Sequence, residues 1–75
     1  MLKRSVDTHV KSRIREARIF ARESQADLGN VLGKCRVSVS DLERGRVKVK
    51  ATELFIIAEH YAKPITYFFP DSTRG

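Results

Sequence analysis

The chain has 75 residues, of which 41% are hydrophobic and 32% charged, and its formal net charge is +6. So short a chain is expected to form one domain, residues 1–75, that buries only about 60% of the surface its unfolded form exposes. A single cysteine excludes an intramolecular disulfide, and no metal-ligand spacing, catalytic constellation, signal peptide or membrane-spanning stretch is present, so we expect a cytoplasmic, non-enzymatic protein without metal or cofactor.

Two helices are predicted in the first half of the chain. The first runs from Asp7 or Thr8, both good capping residues, to Arg22. Its apolar stripe consists of Val10, Ile14, Ala17 and Ala21, widened by Ile19 and Phe20. Ser24 is the predicted cap of a second helix that ends at Leu32, although Asp27 stands where a capping box prefers Glu or Gln.

The second half is predicted to contain a third and a fourth helix and a short terminal turn or helix. The third helix spans about 36–44 and ends at Gly45. Residues 46–50 are too short and unpartnered for a strand and are predicted to be a loop. The fourth helix spans about 51–61, and Pro64 then opens the terminal segment.

The second and third helices have the spacing of a helix-turn-helix over about residues 25–45. Gly33 lies at the hinge, where glycine permits a positive φ. Helical periodicity places four apolar residues where the two helices meet: Leu28, Leu32, Val39 and Leu42. Polar residues fill the outward positions, as expected of a surface that contacts DNA.

Positive charge lies on both sides of this motif. Residues 44–50 contain four basic residues and no acidic one, and a second basic region precedes the motif. Clustered cations are typical of a surface that binds nucleic acid phosphates, which predicts double-stranded DNA as the partner. The alternative is a solvated basic face that only aids solubility.

Two segments carry a family resemblance: SQADLGNVLGKCRVSVSDLERG from Ser24 and LFIIAEHYAKPITYFF from Leu54. Over about residues 10–70 the chain resembles the lambda-repressor/Cro/Xre family of helix-turn-helix DNA-binding domains. The resemblance implies an all-α, five-helix lambda-repressor-like domain that works as a homodimer on a near-palindromic operator, with the third helix in the major groove. Small members of the family include phage repressors, antitoxins and controller proteins of restriction-modification systems.

The family's base-reading positions correspond here to Arg36, Val37, Ser38 and Asp41. Arg36 suits guanine, which accepts two hydrogen bonds from a guanidinium, and Val37 suits a thymine methyl group. Asp41 has three open interpretations: an acceptor for cytosine, an intrahelical partner of Arg44, or a residue outside the groove.

Phosphate contacts are expected from Gln25, Lys34, Cys35, Ser40, Arg44, Arg46 and Lys48, each with the alternative of a solvated side chain.

The resemblance also implies that Arg18 and Glu43 form a structural ion pair. Gly29 replaces the family's usual alanine, at a cost of about 1 kcal/mol in helix propensity. Lys34 and Glu23 stand where most members of the resembled family have apolar residues.

The dimer surface is expected at the carboxyl-terminal end of the chain, where aromatic residues are concentrated: Tyr61, Ile65, Tyr67, Phe68 and Phe69. The alternative is that these residues form an ordinary core. Cys35 has two interpretations, a redox-sensitive thiol at a helix N-terminus or a serine-like cap. His9 and His60 are too far apart in sequence to imply a metal site.

The sequence therefore predicts a sequence-specific, non-enzymatic transcriptional regulator. We expect no effector domain after the motif, and regulation is therefore expected to depend on protein concentration and autoregulation. An antitoxin or another protein-interaction module with autoregulatory DNA binding is the alternative, and it would need an exposed apolar surface. A third interpretation is non-specific binding of RNA or an anionic membrane by charge alone, which predicts that Arg36→Ala has little effect.

Overall fold

The computed structural model describes the backbone of residues 2–70 and the side chains of residues 6–70. Its elements are four α-helices and a carboxyl-terminal 3-10 helix: α1 (Leu2–Phe20), α2 (Gln25–Leu32), α3 (Arg36–Arg44), α4 (Ala51–His60) and the 3-10 helix (Ile65–Phe68). No strand occurs between residues 2 and 70, so the all-α prediction is confirmed. Residue 1 and residues 71–75 of the predicted domain lie outside the described part.

Both ends of α1 differ from the prediction. The helix begins at Leu2 and continues through Asp7 and Thr8, so the expectation that one of them is the N-cap is wrong. It ends at Phe20 because Arg22 adopts a left-handed conformation with a φ of 61°, which a continuing α-helix does not allow.

Local hydrogen bonds fix both ends of α2. The Asp27 N–H donates to Ser24 Oγ at 3.0 Å, and the Ser24 N–H donates to Asp27 Oδ2 at 2.8 Å, so an aspartate completes the capping box. These bonds, first the one from the Ser24 backbone, lower the pKa of Asp27. At the other end Gly33 has a φ of 69°, and the chain turns there into α3.

The core lies between the four α-helices and the 3-10 helix. It contains the apolar residues Val10, Ile14, Ala17, Leu28, Val39, Leu42, Leu54, Ile57, Ala58 and Phe68. Ile19 and Phe20 do not widen the buried stripe of α1 as predicted, and the Phe20 side chain is 83% exposed. The reason is that α1 packs through Val10, Ile14 and Ala17, which share a face that excludes its last two residues.

Candidate nucleic-acid interface

The third helix has one buried face and one exposed first turn. Val39 and Leu42 are buried, whereas Arg36 and Val37 are exposed, with 56% of Val37 accessible. Ser38 is half-buried. The arrangement presents a cationic and an apolar side chain together at the N-terminus of α3.

Asp41 is half-buried in the middle of α3. Within residues 6–70 no ion pair joins it to Arg44. Its carbonyl oxygen accepts a hydrogen bond of 2.9 Å from the Arg46 N–H, which helps end the helix beside Gly45. The carboxylate is thus left without an intrahelical partner in this part of the chain.

A buried ion pair ties α3 to α1. Arg18 Nε donates to Glu43 Oε2 at 2.7 Å, and Arg18 Nη2 donates to Glu43 Oε1 at 2.9 Å. The two side chains are only 10% and 3% exposed. The hydrogen bond to Glu43 is the main reason why the pKa of Arg18 is raised. Two parallel N–H···O bonds give this pair directional specificity as well as charge neutralisation.

The first residue of α2 is connected to the same pair. Gln25 Nε2 donates to Glu43 Oε1 at 3.1 Å, so one end of the Gln25 amide is held inward. Arg18 Nη1 also donates to the Glu23 carbonyl at 2.9 Å, which fixes the turn that precedes α2. The start of α2 and the body of α3 are therefore positioned by one set of hydrogen bonds.

Glu23 forms a second polar cluster that the sequence did not predict. Its carboxylate lies 2.9 Å from His60 Nε2 and accepts a hydrogen bond of 3.0 Å from the Tyr61 hydroxyl. Burial, followed by the hydrogen bond to Glu23, raises the pKa of Tyr61. Residues 37 positions apart leave no local spacing signal, so only the substitution of an apolar family position by Glu23 pointed to this site.

Lys34 is likewise engaged within the chain. Its ammonium pairs with the buried carboxylate of Glu53 on α4, which also accepts a hydrogen bond of 2.9 Å from the Lys50 N–H. Burial opposes ionisation of Glu53, but these hydrogen bonds outweigh it and the pKa of Glu53 is lowered. A phosphate would share the Lys34 charge with Glu53.

Cys35 occupies the N-cap position of α3 and is exposed, but its side chain makes no capping hydrogen bond. Its Sγ lies 3.5 Å from Ser38 Oγ, and hydrogen bonding with Ser38 lowers the pKa of the thiol. The thiol is therefore not a serine-like cap of α3.

The segment after α3 is cationic and open to solvent. Arg44, Arg46 and Lys48 are exposed, and Ser40 is half-buried one turn before the end of α3. Lys11 Nζ lies 3.4 Å from the Arg44 carbonyl oxygen. The negative end of the α3 dipole stabilises a cation at this position.

The residues expected at a dimer surface separate into two groups. Phe68 is fully buried and belongs to the core of this chain, so its assignment to a dimer surface is wrong. Ile65 and Phe69 are exposed. Tyr61 and Tyr67 are half-buried, and the Tyr67 ring lies 4.9 Å from both the Arg13 guanidinium and the Lys63 ammonium.

Comparisons with known proteins identify regulators as relatives. The chain is 39% identical over 70 residues to an uncharacterized transcriptional regulator in the ATPase CF(0) region of Rhodospirillum rubrum, a match that covers 93% of this chain and 65% of that protein. It is 36% identical over 67 residues to uncharacterized HTH-type transcriptional regulators of Sinorhizobium medicae and Rhizobium meliloti, covering 89% of this chain and 48% of theirs. These relatives support a helix-turn-helix regulator. The chain spans between about half and two thirds of their length.

No model of a known protein family matches the chain. Among solved structures, apo-HppE and Fe(II) HppE have TM-scores of 0.79 and 0.78 at 21% identity. Each match covers 93% of this chain and about 40% of the HppE chain. At this identity the likeness shows the fold alone. No helix among the described residues is both long and apolar enough to cross a membrane.

Proposed function

We propose that this chain is a sequence-specific, non-enzymatic transcriptional regulator of the lambda-repressor/Cro/Xre type that inserts α3 into the major groove of operator DNA. The observation that carries the proposal is the exposed first turn of α3, where Arg36 and Val37 project from a helix anchored by Val39 and Leu42. The names of the relatives support the same role. Regulators of this kind act by binding, and the site of action would be the cytoplasm.

Base recognition would come from four side chains of α3. Arg36 would donate two hydrogen bonds to guanine O6 and N7, and Val37 would contact a thymine methyl group. Ser38 can donate or accept, and Asp41 would accept from cytosine N4. Each good bidentate pair gives about 1–3 kcal/mol of discrimination against the wrong base, so Arg36 would contribute most to specificity.

Phosphate contacts would hold α3 in register. They would come from the N-terminus of α2 and from the polar residues that flank the base-reading turn: Gln25, Lys34, Cys35, Ser40, Arg44, Arg46 and Lys48. Six to ten such contacts per dimer predict a loss of roughly 10³–10⁵ in affinity between 50 and 200 mM salt.

A homodimer would match a near-palindromic operator. Ile65 and Phe69 are exposed beside Tyr61 and Tyr67, and this surface would face the second copy. A twofold axis that separates the two α3 helices by one turn of the duplex predicts half-site centres about 10 base pairs apart. Regulation would then depend on protein concentration and autoregulation, as in the small controller and phage repressor members of the resembled family.

Selection of binding sites from random duplexes tests the proposal. We expect an inverted repeat to be enriched, and Arg36→Ala to lower affinity for it by roughly 5- to 150-fold and relax specificity at one position. Arg15→Ala is the matched control because Arg15 is exposed on α1 and the substitution removes the same charge outside the proposed interface. No enrichment, or equal losses in the two variants, would contradict sequence-specific recognition by α3.

An antitoxin or other protein-interaction module is the second candidate. It is favoured by Ile19 and Phe20, which the end of α1 leaves exposed. Such a role predicts that Phe20→Ser abolishes capture of the protein partner without changing the affinity for DNA. Random-duplex selection alone does not separate the two candidates, because a module with autoregulatory DNA binding would also enrich a site. Loss of partner capture in Phe20→Ser, with DNA affinity unchanged, identifies the interaction module.

A further inference from the structure

An apolar groove of about 720 Å³ opens beside the segment that joins α3 to α4. Its buried floor includes Val10, Leu42 and Leu54. Of the eight large apolar side chains exposed in the described part of the chain, four line this one groove: Val47, Phe55, Ile65 and Phe69. Clustering of exposed apolar side chains in one concavity is typical of a binding site.

The rim of the groove is cationic. Lys11, Arg44 and Lys48 line it, and Asp7 is its single acidic lining residue. Within residues 6–70 no carboxylate forms an ion pair with any of the three cations. By contrast, the basic side chains of Arg18 and Lys34 are neutralised by Glu43 and Glu53. The groove thus combines an apolar wall with positive charge that is free to meet an anion.

We propose that this groove binds an alkyl carboxylate, with the alkyl chain along the apolar wall and the carboxylate at the cationic rim. The volume lies within the range of about 300–1,000 Å³ typical of small-molecule sites. In the proposed homodimer the second copy would lie against Ile65 and Phe69 of this lining. It is a poorer occupant of the rest of the groove, because a twofold contact would place two faces of the same net positive charge against each other.

The location gives the site a regulatory consequence that rests on the proposed function. Arg44 and Lys48 line the groove and are also proposed phosphate contacts, so a bound carboxylate would compete with DNA for the same cations. The alkyl carboxylate and the operator therefore weaken each other's binding, and by linkage the two effects are equal in size.

Titration of the full chain with dodecanoate, below its micelle concentration, tests the site directly by calorimetry and by amide chemical-shift changes. We expect saturable binding of one molecule per chain. Phe55→Ala should weaken it roughly tenfold through lost apolar contact, and Lys48→Gln roughly two- to fivefold through the lost exposed ion pair. Phe20→Ala is the matched control, since Phe20 is 83% exposed and lies outside the groove.

Folding of each variant is checked by thermal unfolding, and Val47→Ser replaces Phe55→Ala if that variant does not fold. Absence of saturable binding, equal binding of dodecyltrimethylammonium, or an equal loss in Phe20→Ala would overturn the proposal. So would a dimer that Phe55→Ala dissociates while dodecanoate does not bind, which would assign the groove to a second copy.

DNA-binding measurements distinguish this inference from the proposed function. If random-duplex selection enriches no site while dodecanoate still binds and Phe55→Ala weakens it, the groove stands and the DNA-binding role fails. If a site is enriched, dodecanoate should lower the affinity of the unmodified chain for it, and Phe55→Ala should need roughly tenfold more dodecanoate for the same effect. Unchanged DNA affinity at saturating dodecanoate would contradict the competition.

Discussion

The carbonyl oxygen of Lys34 lies 2.5 Å from the point that a Cβ atom on Gly29 would occupy. The same two residues are joined by a hydrogen bond of 2.8 Å from the Lys34 N–H to the Gly29 carbonyl. The turn between α2 and α3 therefore passes directly against the position in α2 that has no side chain. Glycine allows this close approach because it has no Cβ atom, although alanine is the better helix former.

We expect Gly29→Ala to lower the free energy of unfolding by about 1–3 kcal/mol, because the added methyl group displaces the turn. Helix propensity alone predicts the opposite sign, a gain of about 1 kcal/mol. Urea denaturation measures the difference. Asn30→Ala is the control, since Asn30 is the exposed neighbour in the same helix and should change stability by no more than about 0.5 kcal/mol. A more stable Gly29→Ala variant would contradict the steric argument.

The Arg18–Glu43 pair predicts a second stability effect. Glu43→Gln leaves the Arg18 charge partly buried without its carboxylate and should lower the free energy of unfolding by about 3–5 kcal/mol. Glu16→Gln removes a carboxylate from the exposed Arg13–Glu16 pair, where about 0–1 kcal/mol is expected. Chemical denaturation of both variants tests the contrast, and equal losses would show that burial of the Arg18–Glu43 pair does not matter.

Loss of DNA binding in Glu43→Gln would then follow from unfolding and not from a lost contact. A double variant, Arg18→Met with Glu43→Leu, separates these causes because it removes both charges and should recover part of the stability. No recovery would indicate that the Gln25 and Glu23 hydrogen bonds, which Arg18 and Glu43 also make, contribute more than the charge pair.

Local sequence signals are sufficient to predict α2, α3 and the exposed face of the candidate site. Ser24 and Gly33 mark the ends of α2, and Gly45, with a φ of 78°, marks the end of α3. Helical periodicity places Val39 and Leu42 in the core, which leaves Val37 on the opposite, exposed side. Local signals fail at α1, since residues that cap helices can also lie in an exposed helix interior, as Asp7 does.

Contacts between distant residues could not be predicted from the sequence. Spacing does not connect Glu23 with His60 or Lys34 with Glu53, because tertiary packing alone brings them together. Nor does the run of aromatic residues after Pro64 indicate that Phe68 faces inward while Phe69 remains exposed. The different exposure of Phe68 and Phe69 depends on how the 3-10 helix packs on α1 and α4.

Glu53 predicts how stability falls in acid. Its pKa in the folded state is lower than its ordinary value of 4.5, so its contribution to stability is present above that pH and is lost as the pH falls below it. Glu53→Gln should lower the free energy of unfolding at pH 7 by about 1–3 kcal/mol and flatten the decline in acid. The flattening is partial, because the lowered pKa of Asp27 acts in the same direction.

Glu59→Gln is the matched control for this measurement. Glu59 is exposed on the same helix and forms no ion pair within residues 6–70, so its removal should leave the acid limb unchanged. Denaturant unfolding between pH 3 and 7 makes the comparison. If Glu53→Gln and Glu59→Gln give parallel curves, the pair with Lys34 does not stabilise the folded state.

Tyr61 predicts the corresponding behaviour in alkali. Burial and the hydrogen bond to Glu23 raise its pKa above the ordinary value of 10.0, so its contribution is fully present below that pH and is lost as the pH rises above it. Tyr61→Phe should cost about 1–2 kcal/mol at pH 7, through the lost hydrogen bond to a carboxylate. Above pH 10 the unmodified chain loses this contribution, whereas Tyr61→Phe has no phenol proton to release at this position. The stabilities of the two proteins should therefore converge.

Tyr67→Phe controls for the loss of a phenol group in general. Tyr67 is also half-buried, but its hydroxyl makes no hydrogen bond to the described residues, so this variant should match the unmodified chain at pH 7. Lysine deprotonation affects all three proteins alike and cancels in the comparison. A constant difference between Tyr61→Phe and the unmodified chain from pH 7 through pH 11 would mean that Tyr61 ionises as easily in the folded state as in the unfolded one.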